Sequence, residues 1–296
     1  MKQNLGEEYW LALARAPGIG PINFGHLLNH FGSPRGLFEA GHREWRTLRL
    51  RTDLRRYLQK PNWLAVEKDM SWLAQAGHHL VTLEHPNYPP LLREIYQPPP
   101  LLFVEGNCAI LTTLQLAIVG TRRASREGIQ TAQTFAQQLS HHGLTITSGM
   151  AYGIEGASLW GSLLGSGKTI AVAARGLDRT YPSGHQELAY SIAQTGALVS
   201  EFPPGTPVKR AHFLRRSRIV SGLTLGTLVV EAPAHSSALY TVRFAAEQGR
   251  EVFAIPSSIH NPLAKGCHQL IKEGAKLVET VDDIFEELQI YRSFFH

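Results

Sequence analysis

Residues 116–149 read LAIVGTRRASREGIQTAQTFAQQLSHHGLTITSG. Two short apolar runs, 116–120 and 144–147, flank a segment in which Ile129, Ala132, Ala136 and Leu139 recur at helical spacing. A strand that is apolar along its whole length is buried on both faces, and two such strands joined by an amphipathic helix make a parallel pair. The alternation continues through the runs 169–174, 197–200, 227–231 and 251–255. The pattern predicts an α/β fold: a doubly wound, mostly parallel sheet over residues 101–288 with right-handed crossovers. Residues 289–296 read as a tail.

Upstream, residues 1–84 read as a small all-helical domain. An amphipathic segment at 7–16 breaks at Pro17-Gly18-Ile19-Gly20-Pro21, helical spacing resumes over 23–31, and Gly32-Ser33-Pro34 stops it. The PGIGP pentapeptide resembles a helix-hairpin-helix turn, in which glycines let backbone amides approach a phosphate. A proline-rich passage, residues 85–100, reads as the linker between the two domains.

The chain has 296 residues, 43% of them hydrophobic, which suffices for one large core and a smaller one. No apolar run approaches the roughly 18 residues of a membrane helix, and MKQNLGEEYW has no signal-peptide core. Two isolated cysteines, Cys108 and Cys267, suit a reducing compartment, so a cytoplasmic protein is expected. The 14 histidines lack metal-ligand spacing, so no metal and no cofactor are expected. A net charge of +5 fits a polyanionic partner. The arginines cluster at 122–126, at 209–218 and at 43–56.

In a doubly wound sheet, ligands sit beyond the carboxyl ends of the strands. The residues found there are Gly120-Thr121-Arg122-Arg123, Ser148-Gly149, Arg175-Gly176, Glu201-Phe202, His235-Ser236-Ser237 and Ser257-Ser258. Small, hydroxylated and basic side chains converge, and these donate to anionic oxygens. GSLLGSGKTIAVAARG, 161–176, imitates a phosphate-binding loop. Its first glycine is displaced by Ser162, however, and the order is helix then strand, the reverse of what that loop needs. The turn after the first run lacks G-x-G-x-x-G, and no acid ends the second run, so a dinucleotide is not expected. Ser148, His235 and Ser236 lack a nucleophile elbow. The densest basic stretch is KRAHFLRRSRIV, 209–220. On a helix Arg216 and Arg218 diverge by about 200°. One therefore faces the ligand, and the other is placed to pair with Glu201 or Glu231.

Taken in order, AIVGTR (117–122), SGMAYGIE (148–155), TIAVAARGLDRTYP (169–182), GALVSEFPPGT (196–206), FLRRSRIV (213–220), GTLVVEA (226–232), GREVFAIP (249–256) and LIKEGAKLV (270–278) resemble the DNA-processing protein A family, DprA or Smf. The resemblance implies a Rossmann-like domain preceded by a helix-hairpin-helix or SAM-like helical domain. It also implies a homodimer that binds single-stranded DNA, protects it during natural transformation and promotes RecA loading. The DNA or phosphate contacts it implies, together with the basic and hydroxylated residues above, are Gly120, Thr121, Arg122, Arg123, Ser148, Gly149, Lys209, Arg210, Arg216, Arg218 and Thr241. Leu263, Leu270 and Ile271 are the expected dimer contacts. Phe213, Tyr152 and Tyr240 are candidates for base stacking. The chain departs from the family pattern at Leu214, Ser217, Glu155, Ser158, Ser237 and Ser257.

Two other classes compete. Gly226-Thr227-Leu228 and Glu231 mimic the tail of P-G-G-x-G-T-x-x-E, the helix-opening motif of Rossmann-like enzymes that hydrolyse nucleotide monophosphates. Ser221-Gly222 replaces its start, and 228–230 reads as strand. The third class is a purely structural partner-binding domain.

Overall fold

The computed structural model describes residues 6–165 and 167–289, so 290–296 of the expected tail lie outside the described residues. Six helices come first: α1 (Glu7–Ala14), α2 (Pro21–Phe31), α3 (Pro34–Glu39), α4 (His42–Thr47), α5 (Thr52–Gln59) and α6 (Trp63–Leu73). The sheet follows as β1 (His78–Thr82), β2 (Leu101–Gly106), β3 (Gln115–Val119), β4 (Thr145–Gly149), β5 (Thr169–Val172), β6 (Ala197–Ser200), β7 (Gly226–Val229), β8 (Glu251–Ala254) and β9 (Lys276–Leu277). Between and after the strands lie α7 (Pro90–Arg93), α8 (Arg126–His141), α9 (Ile154–Leu164), α10 (Gln186–Thr195), α11 (Arg210–Gly222), α12 (Leu239–Glu247), α13 (Lys265–Lys272) and α14 (Val281–Leu288). No helix among the described residues is long and apolar enough to cross a membrane.

The strand order is β1-β2-β6-β5-β4-β3-β7-β8-β9. From β6 to β9 every pairing is parallel, while β1 and β2 add two antiparallel strands at one edge. The period of two along β3 shows why the apolar runs are continuous. Leu116 and Ile118 face a core with Phe135, Leu139 and Phe285, and Ala117 and Val119 face another with Leu92, Ile219 and Val242. Helices cover both faces, so neither face of the central strands needs polar residues. Within 161–176, α9 ends at Leu164 and β5 starts at Thr169, so helix precedes strand.

The structure departs from the sequence reading at the domain boundary. Residues 1–84 are not wholly helical, because β1 lies within them. Its Leu80 joins Leu101 and Phe103 of β2 in the core of the helical domain, beside Trp10, Phe24 and Trp72. The opposite side chains, Val81, Leu102 and Val104, belong to the core of the sheet. The two domains therefore share a hairpin. Short strands that start on His78-His79 or directly follow three prolines carry little periodicity, which is why both were missed. Residues 85–100 are a packed strap. Tyr88, Leu92 and Ile95 are buried in the sheet's core, and the Tyr88 hydroxyl donates to the Pro99 carbonyl at 2.8 Å.

If the strap is core, Leu92→Ala should destabilise the protein by about 2–5 kcal/mol in urea unfolding, the cost of truncating a buried leucine. A linker residue would stay within about 0.5 kcal/mol of the parent.

Candidate functional site

The winding reverses at β3, which lies between β4 and β7, and the loops leaving β3 and β7 part there. A cavity of about 500 Å³ opens at this point. Gly120 and Arg122 come to it from the loop after β3, Ala151 from the turn after β4, Glu155 from the first turn of α9, Ser237 from just before α12, and Tyr240 and Thr241 from its start. Arg210, Phe213, Arg216 and Ser217 come from α11.

Arg216 is the buried cation of this wall. Its guanidinium forks onto Glu155, with Nη1 donating to Oε2 at 3.2 Å and Nη2 to Oε1 at 3.3 Å, and both side chains are more than nine-tenths buried. Glu155 also accepts the Ala151 amide at 3.0 Å. The buried Arg216 Nε–H has no acceptor among the described residues. This packing requires glycine at 149, since a Cβ there would fall 1.1 Å from Nη1 of Arg216. Gly120 is constrained in the same way, because a Cβ would meet the Glu231 carbonyl at 2.7 Å and the side chain of Ile154.

Arg122 is exposed. Its guanidinium stands 5.4 Å from the centroid of Phe213, and the Phe213 ring meets Tyr181 edge-on at 6.0 Å. A cation held over an aromatic face beside a second ring suits a nucleotide, whose phosphate and base need different partners. Helix α11 begins at this wall, at Arg210, without a side-chain cap, whereas the amides that open α12 are engaged: that of Ala238 donates to Ser236 Oγ at 3.3 Å, and those of Leu239, Tyr240 and Thr241 donate to the carbonyls of Ser236, Ser237 and Ala238.

The amino end of α8 behaves differently. Ser125 Oγ accepts the Gly128 amide at 2.9 Å, and the Glu231 carboxylate accepts the Ser125 amide at 2.9 Å and its hydroxyl at 2.7 Å. A dinucleotide-binding sheet seats its pyrophosphate at this pole, but here a carboxylate of the chain fills it. The same contacts engage Glu231, and Gly226–Val229 is strand rather than the start of a helix. The geometry that the nucleotide-hydrolysing alternative needs is therefore not made.

Of the residues singled out in sequence, Gly120, Arg122, Arg210, Arg216 and Thr241 line the cavity together. Gly149 lies directly beneath Arg216. Thr121 shapes the loop, since its amide donates to the Glu231 carbonyl at 2.7 Å and its hydroxyl accepts the Arg123 amide at 3.2 Å. Arg123 and Lys209 are exposed beside it. Two residues lie elsewhere. The Ser148 side chain is wholly buried and donates to the Ile118 carbonyl at 2.6 Å, because it points into the sheet. Arg218 faces away from the cavity, as its helical offset from Arg216 requires. It donates to the Gln97 carbonyl at 2.7 Å and to Glu201, which also holds Arg215. Burial pushes the Arg218 guanidinium below its usual range, and Glu201 opposes that.

Sequence reasoning missed Glu155 as the partner of Arg216 and Tyr181 as the neighbour of Phe213. An acid in the first turn of a helix ordinarily answers the helix dipole, so only the fold reveals the pairing. Leu263, Leu270 and Ile271 are half-buried around α13, the latter two against the core, beside the exposed edge strand β9.

A family model described as DNA recombination-mediator protein A matches residues 79–289, and one described as a DprA-like N-terminal HHH domain matches 7–40. Protein Smf of Escherichia coli is 46% identical over 235 residues, 79% of this chain and 63% of that protein, so the chain spans less than two thirds of this relative. The crystal structure of DNA processing protein A from Streptococcus pneumoniae superposes with a TM-score of 0.82 at 31% identity, covering 95% of this chain and 97% of that one. A structure describing the single-stranded DNA binding mode of DNA processing protein A from Helicobacter pylori superposes with a TM-score of 0.65 at 27% identity, covering 72% and 97%.

The geometry separates support from contact. Arg216→Met leaves the Glu155 carboxylate buried without its cation and should cost about 3–5 kcal/mol of stability. Arg122→Ala loses an exposed ring contact and should cost no more than about 1 kcal/mol. Denaturant unfolding of the two variants checks the contrast.

Proposed function

This chain belongs to the DNA recombination-mediator protein A family, and we propose that it binds single-stranded DNA with little regard to sequence. In this reading it shields strands taken up in natural transformation and passes them to a RecA recombinase, acting as a homodimer in the cytoplasm and holding DNA rather than cutting it. One observation carries the reading: a buried guanidinium, an exposed arginine over an aromatic ring and the uncapped start of α11 lie along one rim of the sheet. Such a rim grips the sugar–phosphate chain and stacks a base without reading its edges, as sequence-tolerant binding needs.

Arg122, Arg123, Lys209 and Arg210 are the exposed cations that would neutralise phosphates, with Gly120, Thr121, Gly149 and Thr241 shaping the surface and Arg216 reinforcing it from beneath. Ser148 and Arg218 serve this reading from behind, one holding β4 to β3 and the other holding the strap to α11. The dimer contact is proposed at Leu263, Leu270 and Ile271. The relative from Helicobacter pylori, described with single-stranded DNA, supports the choice of ligand.

The affinity for an oligothymidylate should fall with salt, at about −0.7 in log–log slope for each phosphate neutralised. Arg122→Ala should weaken binding to all sequences alike and make the slope shallower by roughly one phosphate's share. A salt-titrated anisotropy measurement reads both, and salt-independent binding would contradict the proposal.

A further inference from the structure

A second cavity, about 580 Å³, opens beyond β5 and β6 and is separate from the one just described. Glu105, Met150, Arg175, Arg179, Tyr181 and Tyr190 are among its walls. Two observations make it a close neighbour of the first cavity. Met150 lines it while the next residue, Ala151, lines the first, so a single turn at the end of β4 divides the two. Tyr181, on its wall, touches Phe213, on the wall of the first.

The lining is of mixed chemistry. Tyr181 is 47% exposed and Tyr190 69%, so two large rings stand open to solvent where apolar surface is usually covered. Arg175 is on the wall, its buried Nε–H without an acceptor among the described residues, and Arg179 is exposed beside it. Glu105 is the half-buried acid of the wall. Burial holds its carboxyl above the usual range, and His78, opposite it in β1, works against that. Asp178 is engaged, accepting the Gly205 amide at 2.7 Å. A phosphate alone would call for cations without an acid. An unpaired base asks for a ring to stack on, donors for its carbonyls and an acceptor for its exocyclic amino group, and all three are present.

We propose that this cavity is a second nucleotide subsite, in which a single strand leaving the first cavity crosses Tyr181 and places an unpaired base between Tyr190 and the Arg175–Glu105 wall. The inference rests on the reading of the first cavity as a single-stranded DNA site and deepens it. A duplex, whose bases are already stacked on one another, cannot offer a base to this pocket, so the subsite favours single strands over duplex. The carboxylate of Glu105 adds a modest preference for bases that bear an amino group to the sequence-tolerant grip of the first cavity.

The test uses the full chain and oligothymidylates lengthened stepwise from about four to twenty nucleotides, with affinities measured at fixed salt. The paired variant Tyr190→Ala/Arg179→Ala alters only exposed side chains, so folding is not at stake. The parent should gain affinity steeply at the length that first reaches the second cavity. The variant should lose about tenfold of that gain, the share of one stacked base, and should bind the shortest oligonucleotide like the parent. Glu105→Gln should narrow the preference for oligodeoxycytidylate over oligothymidylate. A variant that follows the parent at every length, or one that weakens all lengths equally, overturns the proposal. Arg122→Ala, read on the shortest oligonucleotide, reports on the first cavity alone. If that variant binds like the parent, the fault lies in the first reading and the second falls with it.

Discussion

The guanidinium of Arg216 can lie against the end of β4 only because residue 149 has no side chain. That clearance, a Cβ position 1.1 Å from a nitrogen, decides the shape of the site. It lets a helix that precedes β7 send its cation under the turn that follows β4, where Glu155 receives it on two oxygens. The charge pair in turn holds the first turn of α9 and the middle of α11 in fixed relation. Arg122 and Phe213, which face outward, therefore stand on a rigid floor. A buried pair of this kind contributes little net stability, but removing one partner is costly. Its role here is to fix geometry.

The parallel part of the fold is legible in sequence because burial on both faces leaves its mark on every residue of a strand. The runs at 116–120 and 227–231 need no partner to be recognised. The edge of the sheet is harder to read. β1 begins on two histidines, and β2 follows three prolines, a signal that ordinarily means a break. The strap at 85–100 misleads in the same way: its prolines read as a linker, while Tyr88, Leu92 and Ile95 bury themselves under α11. Glycines and arginines at the strand ends locate the cavity. Their orientation depends on contacts across 61 residues, from Glu155 to Arg216, and no local spacing carries that information. The opposite fates of Arg216 and Arg218 follow from helical geometry, but which of them faces the cavity is settled by where Gly149 leaves room.

The helical domain is joined to the sheet by more than a chain crossing. β1 and β2 give alternate side chains to each core, so a single hairpin is structural to both. Arg15 adds a polar tie. It donates twice to the wholly buried Asp69, at 2.6 Å each, and reaches the Pro204 carbonyl beyond β6 at 3.5 Å. The loop after β6 is thus tied to the amino-terminal helices.

Glu231 gives the amino pole of α8 a resident counter-ion. Because it is tethered by the backbone, it competes for that pole as an intramolecular group. Free phosphate and mononucleotides, abundant in any cell, meet an occupied seat there. What remains open is the outer rim; on the reading proposed above, each grip there is weak and only a ligand long enough to take several at once would be retained. On that reading, a fold often used to capture metabolites is made indifferent to them and responsive to length.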